Sequence, residues 1–225
     1  MKARLKTPIS YYGGKQNLVS TILPLIPEHA LYAEPFVGGG AVFWAKEKSK
    51  IEVINDLNGE IVNFYEVMQR KFDQLFELVQ ATLHSRKQHA DSNVIYKHPH
   101  LFTDVDRAWA LWVQCNQSFS SKISGGWAYG KKGNSCEKKT YNTKQRFIDA
   151  FQERLRSVQI ECNDALQIIR SRDYEDAFFY CDPPYPESDQ GHYKGYSMDD
   201  FMELMTLLSQ IKGKFLVSSY DYPEL

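Results

Sequence analysis

Leu31-Tyr32-Ala33-Glu34-Pro35-Phe36-Val37-Gly38-Gly39-Gly40 is the stretch whose reading decides the fold. Its first four residues read as a short buried strand that runs into a glycine turn. The apolar run from Ala41 to Lys46 follows as a helix. Ile51-Glu52-Val53-Ile54-Asn55 reads as a second strand, closed by Asp56, and a second helix follows from about Leu57 to Arg70. Strand, glycine turn, helix, strand, acidic residue is the first half of a doubly wound sheet.

The same alternation returns near the end of the chain. Val158 to Cys162 is strand-like and Ala165 to Arg170 helical. Ala177-Phe178-Phe179-Tyr180-Cys181 reads as a fully buried strand. Ser197 to Ile211 reads as a helix with Ser197 as N-cap and Asp200 completing a capping box. Lys214 to Ser219 is one more strand. Between the two halves the rhythm breaks. Asp73 to Thr103 is polar and His-rich, helical with loops. Val105 to Phe119 carries Trp109, Leu111 and Trp112 and reads as a buried helix. Ser120 to Tyr141 is rich in Gly, Ser, Lys and aromatics without a helical period, so it reads as a hairpin or loop. Asn142 to Val158 reads as an amphipathic helix. The expected division is a catalytic unit formed by residues 1–68 and 157–225, with an insertion at 69–156.

At 225 residues, with 43% hydrophobic and 14% aromatic content, the chain can pack a core, which excludes a disordered class. No apolar run approaches the roughly 20 residues of a membrane helix. The basic start from Met1 to Ser10 has no apolar stretch behind it, so no signal peptide is expected. The four cysteines form no Cys-x-x-Cys pair, which argues for reduced thiols in a cytoplasm and against a bound metal. Net charge is −1, but nine Lys and Arg face three acidic residues between Lys122 and Arg156, or +6 locally. Lys2, Arg4, Lys6 and Lys15 form a smaller basic cluster. Either run alone is equally compatible with a solvated face.

Three short motifs carry chemistry. Asp182-Pro183-Pro184-Tyr185 leaves the sheet directly after the buried strand. Its prolines stiffen the exit and donate nothing. A carboxylate, a fixed carbonyl and an aromatic ring at the carboxyl end of a strand suit an amino group on a planar ring. The Asp182 carboxylate and the Pro183 carbonyl accept the amine hydrogens, and Tyr185 stacks on the ring. A plain strand-ending turn is the alternative for the tetrapeptide alone. The glycine turn after Glu34 lacks Gly-x-Gly-x-x-Gly spacing, which disfavours a dinucleotide. Asp56, at the end of the second strand, stands where a carboxylate takes ribose hydroxyls, so a nucleoside-bearing cofactor fits. In Tyr11-Tyr12-Gly13-Gly14-Lys15 the lysine can reach a carboxylate or phosphate, or simply sit in water.

Taken together, Gly-Gly-Lys, Glu-Pro-Phe-x-Gly-x-Gly, Asn-Asp-Leu-Asn around Asp56 and Asp-Pro-Pro-Tyr, in that order, resemble the alpha-group (Dam-type) DNA adenine methyltransferases over nearly the whole chain. The resemblance implies a Rossmann-like α/β sheet that uses S-adenosylmethionine, without a metal, and an inserted, mostly helical target-recognition domain carrying a hairpin. It implies methyl transfer to the exocyclic amine of adenine in double-stranded DNA, with the base flipped out of the duplex. It places Tyr11, Lys15, Glu34, Phe36, Gly38, Gly40, Asp56, Asn163, Asp164 and Asp182 around the cofactor. Asp182, Pro183 and Tyr185 are its catalytic residues. Asn116 to Gly130 resembles the DNA-probing hairpin, with Asn116, Ser118, Lys122, Trp127, Tyr129 and Lys131 as DNA contacts. A cognate restriction endonuclease and a bacterial or phage-infected host are part of the same expectation; oligomeric state is left open.

The resemblance has one departure. Family members continue past the strand near Lys214 to Asp221 with a helix and two strands, whereas this chain ends at Leu225, so an exposed sheet edge is expected. The rival readings are an inactive DNA-binding module, an enzyme acting on the cytosine amine, and an RNA methyltransferase. A cytosine-carbon methyltransferase is excluded because no Pro precedes a Cys.

Overall fold

A computed structural model describes residues 5–130, 136–186 and 195–222. Five parallel strands form one sheet: β1 (Leu31–Glu34), β2 (Ile51–Asn55), β3 (Gln159–Glu161), β4 (Ala177–Cys181) and β5 (Lys214–Val217), in the order β3-β2-β1-β4-β5. Leu31 pairs with Ile51 on one side and Ala177 on the other. The strand order therefore reverses between β1 and β4, and the crevice beyond their carboxyl ends is where such sheets take ligands. β5 stands at the edge of the described sheet, with Phe215 40% exposed.

The largely apolar central strands β1, β2 and β4 follow from burial on both faces. Tyr32, Ile54, Phe178 and Tyr180 point to one side, into a core shared with α2 (Ala41–Ala45) and α3 (Gly59–Arg70). Leu31, Ala33, Val53, Ala177, Phe179 and Cys181 point to the other, under α9 (Ala165–Arg172) and α10 (Met198–Leu208). The alternation is the two-residue period of a strand. The capping box expected at Ser197 is formed, with Asp200 N–H donating to the Ser197 hydroxyl at 3.1 Å.

Residues 69–156 hold α4 (Phe72–Ala81), α5 (Arg86–Lys97), α6 (Asp104–Gln117), α7 (Cys136–Gln145) and α8 (Ala150–Leu155), following a short α1 (Val19–Ile22) near the start of the chain. From Ala110 to Gln117 every residue of α6 is buried, and one hydrophobic cluster runs from Tyr32 through Trp112 to Phe151. Among the described residues no helix is long and apolar enough to cross a membrane.

Two expectations are corrected. Cys136 to Tyr141 belongs to helix α7 rather than to a loop. Its inward face is polar: Thr140 and Thr143 are buried, His84 bonds Thr140 Oγ1 at 3.0 Å, and Lys144 Nζ donates to the Thr82 carbonyl at 2.8 Å. A helix fastened by hydrogen bonds leaves no hydrophobic period to read. The single amphipathic helix expected from Asn142 to Val158 is split into α7 and α8. The break at Arg146–Asp149 lets Phe147 stack on Phe72 at 5.2 Å and 10°.

Candidate active site and hairpin

The turns after β1, β2, β3 and β4 leave the same edge of the sheet, and the Tyr11–Lys15 loop joins them there. Tyr11, Lys15, Glu34, Phe36, Gly38, Gly40, Asp56, Asn163, Asp164, Asp182, Pro183 and Tyr185 line one cavity of about 820 Å³. Asp182 is thus neither sealed in the core nor remote from the glycine turn. Its carboxylate takes Lys15 Nζ at 2.7 Å on Oδ1 and 2.8 Å on Oδ2. Burial pushes the Asp182 carboxyl upward, and Lys15 opposes that shift. Burial lowers the Lys15 ammonium, but Asp182 and Tyr185 outweigh it and hold it above its usual range. Tyr185 completes the group, its hydroxyl 2.7 Å from Ser218 Oγ and 3.4 Å from Asp182 Oδ1, with Lys15 Nζ 4.9 Å from its ring centre.

The glycine turn is shaped by Tyr11. A Cβ on Gly38 would stand 2.8 Å from the Tyr11 ring, and one on Gly39 2.8 Å from Tyr11 Cβ. Gly38 also holds a φ of +46°, where side chains are strained. Gly38 N–H donates to Asp56 Oδ2 at 2.9 Å and Asn58 N–H to Oδ1 at 2.9 Å. A carboxylate has about four acceptor positions, so a sugar diol can share Asp56 with these amides.

Asn55 was not singled out by any motif role. Its Nδ2 donates to the carbonyls of Pro35 and Asn163, both at 2.9 Å, and its Oδ1 accepts from Asn163 N–H at 2.9 Å. One buried amide therefore ties together the ends of β1, β2 and β3. Asp164 caps α9, accepting from Gln167 N–H at 3.1 Å. Ser218, and Tyr220 at 4.8 Å from Tyr185 in an edge contact, also escaped the motif reading. The signal was available: parallel neighbours end on one edge, so residues just after β5 must flank those just after β4.

Glu34 is buried and accepts from the Tyr32 hydroxyl at 2.5 Å. Burial pushes its carboxyl from 4.5 up to about 8. A folded-state value above the unfolded one means the folded state holds an extra proton between them, so stability falls as pH rises through that window. Glu34→Gln mimics the protonated acid. It is expected to gain stability relative to the unsubstituted chain as pH rises from 4.5 to about 8, approaching ~1.4 kcal/mol per pH unit at most. Paired thermal melts across that range check this; a constant difference contradicts it.

The hairpin expected at Asn116–Gly130 is a loop closed at its base by an antiparallel bridge between Ser118 and Trp127 and by Ala128 N–H donating to Gln117 O at 2.8 Å. Asn116 and Ser118 are buried and face inward. Asn116 Oδ1 accepts from Ser10 N–H at 3.1 Å, and its Nδ2 donates to Trp112 O at 2.9 Å, which fastens the Tyr11–Lys15 loop to α6. Ser118 Oγ lies 2.8 Å from His89 Nε2, and His84 bonds the Ala128 carbonyl at 3.0 Å. Lys122 Nζ lies 4.7 Å from the centre of the Tyr12 ring. Trp127 and Tyr129 stack at 5.8 Å, with Tyr129 50% exposed. Phe119, expected at the end of a buried helix, is instead 72% exposed at the turn. Lys131 lies outside the described residues.

Residues 11–223 match the family described as D12 class N6 adenine-specific DNA methyltransferase. The chain is 28% identical over 247 residues to the Type II methyltransferase M1.LlaDCHI of Lactococcus lactis subsp. cremoris, covering 97% of this chain and 82% of that protein. It is 28% identical over 232 residues to the DNA N-6-adenine-methyltransferase of Escherichia phage P1, covering 95% of this chain but 29% of that longer protein. It is 26% identical over 204 residues to a DNA adenine methylase of Vibrio cholerae serotype O1, covering 86% of this chain and 70% of that enzyme. Four ordered motifs, a parallel sheet whose strand ends gather them into one cavity, and a match over nearly the full length converge on one conclusion: the chain belongs to the D12 class of N6 adenine-specific DNA methyltransferases.

Proposed function

We propose that the chain methylates the N6 amine of adenine at a specific sequence in duplex DNA, using S-adenosylmethionine held in the cavity described above. The observation that supports this most is the Asp182 carboxylate on the same wall-to-wall cavity as the glycine turn and Asp56. The donor set fits the cofactor. Asp56 suits ribose hydroxyls, Asn163 and Asp164 the adenine edge, and Tyr11, Lys15 and Phe36 the remainder of the molecule. When bound, S-adenosylmethionine supplies an electrophilic methyl group on a sulfonium.

The chain's own residues do the rest. The adenine amine is a poor nucleophile because its lone pair is delocalised into the ring. Asp182 and the Pro183 carbonyl accept its hydrogens and draw it toward tetrahedral geometry, and Asp182 or water takes the released proton. Lys15 opposes the upward push of burial on the Asp182 carboxyl and so favours the ionised form, which only accepts. Tyr185 stacks on the extruded base, and Ser218 and Tyr220 hold Tyr185 in place. Bringing the reactants into attack geometry is worth up to roughly 7–11 kcal/mol in well-oriented systems. Extruding the base costs a few kcal/mol, which phosphate contacts of the 69–156 unit help to offset. In that unit, Lys122 and Tyr129 face the DNA, joined by the exposed Phe119, while Asn116 and Ser118 anchor the hairpin from within and Trp127 packs behind Tyr129. The Type II name of the Lactococcus relative supports a cognate restriction endonuclease, and a DNA substrate supports a cytoplasmic location.

Transfer of labelled methyl groups to duplex DNA, single-stranded DNA and structured RNA tests the substrate class. Label is expected in duplex DNA, weakened as salt rises. Preferential labelling of RNA contradicts the proposal.

A further inference from the structure

We propose that Arg86 grips a phosphate of the DNA backbone and that Trp127 and Tyr129 are the platform that holds its guanidinium ready. The proposal rests on the reading of duplex DNA as substrate. Arg86 opens α5 and is exposed, and no carboxylate pairs with it among the described residues. Its guanidinium carbon lies 4.7 Å from the centre of the Trp127 ring and 5.6 Å from that of Tyr129. The two rings stack on each other with 22° between their planes, and His84 packs against Trp127 at 5.0 Å. The platform is itself fixed. Trp127 is bridged to Ser118, and His84 is tied to both Ala128 O and Thr140 Oγ1.

A guanidinium stacked on a ring spends only its flat face; its five N–H groups lie in its plane and still point outward. Holding the cation in one geometry lowers the entropy lost when it meets a bidentate anion, and phosphate is the anion that fork matches. Trp127, with Arg86, His84 and Tyr129 packed around it, has little ring face left to stack on a base. Arg86 also sits on the flank of the hairpin rather than at its turn near Phe119–Ser121, which favours the backbone over a base edge.

The test uses the full chain and two labelled duplexes of unrelated sequence, with affinity measured by fluorescence anisotropy from about 50 to about 200 mM salt. For Arg86→Ala the slope of log affinity against log salt is expected to become shallower by about 0.9, a loss of roughly eight-fold at 0.1 M salt, equal on both duplexes. Arg86→Lys keeps the charge and is expected to keep the slope while binding more weakly. Arg86→Gln, read the same way, covers poor folding of the alanine variant, and melts run in parallel report folding. An unchanged slope in both neutral variants, or a loss confined to one sequence, overturns the phosphate grip alone. Failure of the unsubstituted chain to bind either duplex overturns the DNA reading and this proposal with it.

Discussion

Asp182→Ala is expected to reduce methyl transfer by about 10³-fold or more, in line with removing a group that acts on the reacting atoms. The Asp182 carboxylate faces the cavity, is held by Lys15 through both oxygens, and has the Tyr185 hydroxyl 3.4 Å away. Alanine removes the acceptor for the amine hydrogens and leaves the Lys15 ammonium, now without its carboxylate, at the mouth of the site. A weakened hold on the cofactor is expected as well, since the positive end of Lys15 is no longer neutralised. Asp182→Asn separates the two effects. It keeps the shape but offers a weaker acceptor and its own N–H groups, so the chemical step stays impaired while cofactor affinity is better preserved. Single-turnover transfer with the cofactor at saturating concentration, paired with cofactor titration, reads both quantities. Normal turnover in either variant removes Asp182 from the mechanism.

The second large effect lies at the other end of the sheet. Glu52, in the first half of β2, is buried between two cations. Lys46 Nζ is 2.6 Å from Oε1, Arg154 donates to both carboxylate oxygens, and the two cations also lie over Tyr32 and Phe43 at 4.2 and 4.1 Å. Glu52→Gln leaves two buried positive charges against a neutral amide. Breaking a buried pair from one side costs about 3–5 kcal/mol, which for a chain of this size lowers the melting temperature by roughly 10 °C. Burial raises the Glu52 carboxyl, but Arg154 and Lys46 outweigh it and the net direction is downward. A depressed folded-state value gives stability that is present above the unfolded pKa and lost as pH falls through the folded one. The gap between the two proteins should therefore be full at neutral pH and close in acid. Thermal melts across pH check this, and methyl transfer well below the melting point should be unaffected. A melting temperature within about 2 °C of the unsubstituted chain would remove the triad from the stability of the fold.

The fold was legible where burial and period are the same signal. The runs at Leu31–Glu34, Ile51–Asn55 and Ala177–Cys181 are mostly apolar because both faces of the sheet are covered there, and their bounds fall where the composition changes. The capping box at Ser197 needed only local chemistry. Most of the cavity was legible because the turns at Glu34–Gly40, Asp56, Asn163–Asp164 and Asp182–Tyr185 follow strand ends, and parallel strands bring such ends together. What stayed hidden depends on partners far apart in sequence. Helix α7 is held by polar contacts to His84 and Thr82, so no hydrophobic pattern announces it. Asn116 looks like a hairpin contact until its amide is seen holding Ser10. Arg86 is one cation among many until its distance from Trp127 is known. Asn55 reads as the last residue of a strand, and its role as a clamp appears only when Asn163 arrives beside it from 108 residues away.

The atom that receives the methyl group distinguishes an adenine-amine enzyme from its rivals. Nucleoside analysis by mass spectrometry, after the purified chain has reacted with S-adenosylmethionine and unmethylated duplex DNA, identifies that atom directly. N6-methyldeoxyadenosine is the expected product, absent from the Asp182→Ala reaction. N4-methyldeoxycytidine, or DNA left unmodified by a chain that binds cofactor and duplex, contradicts it.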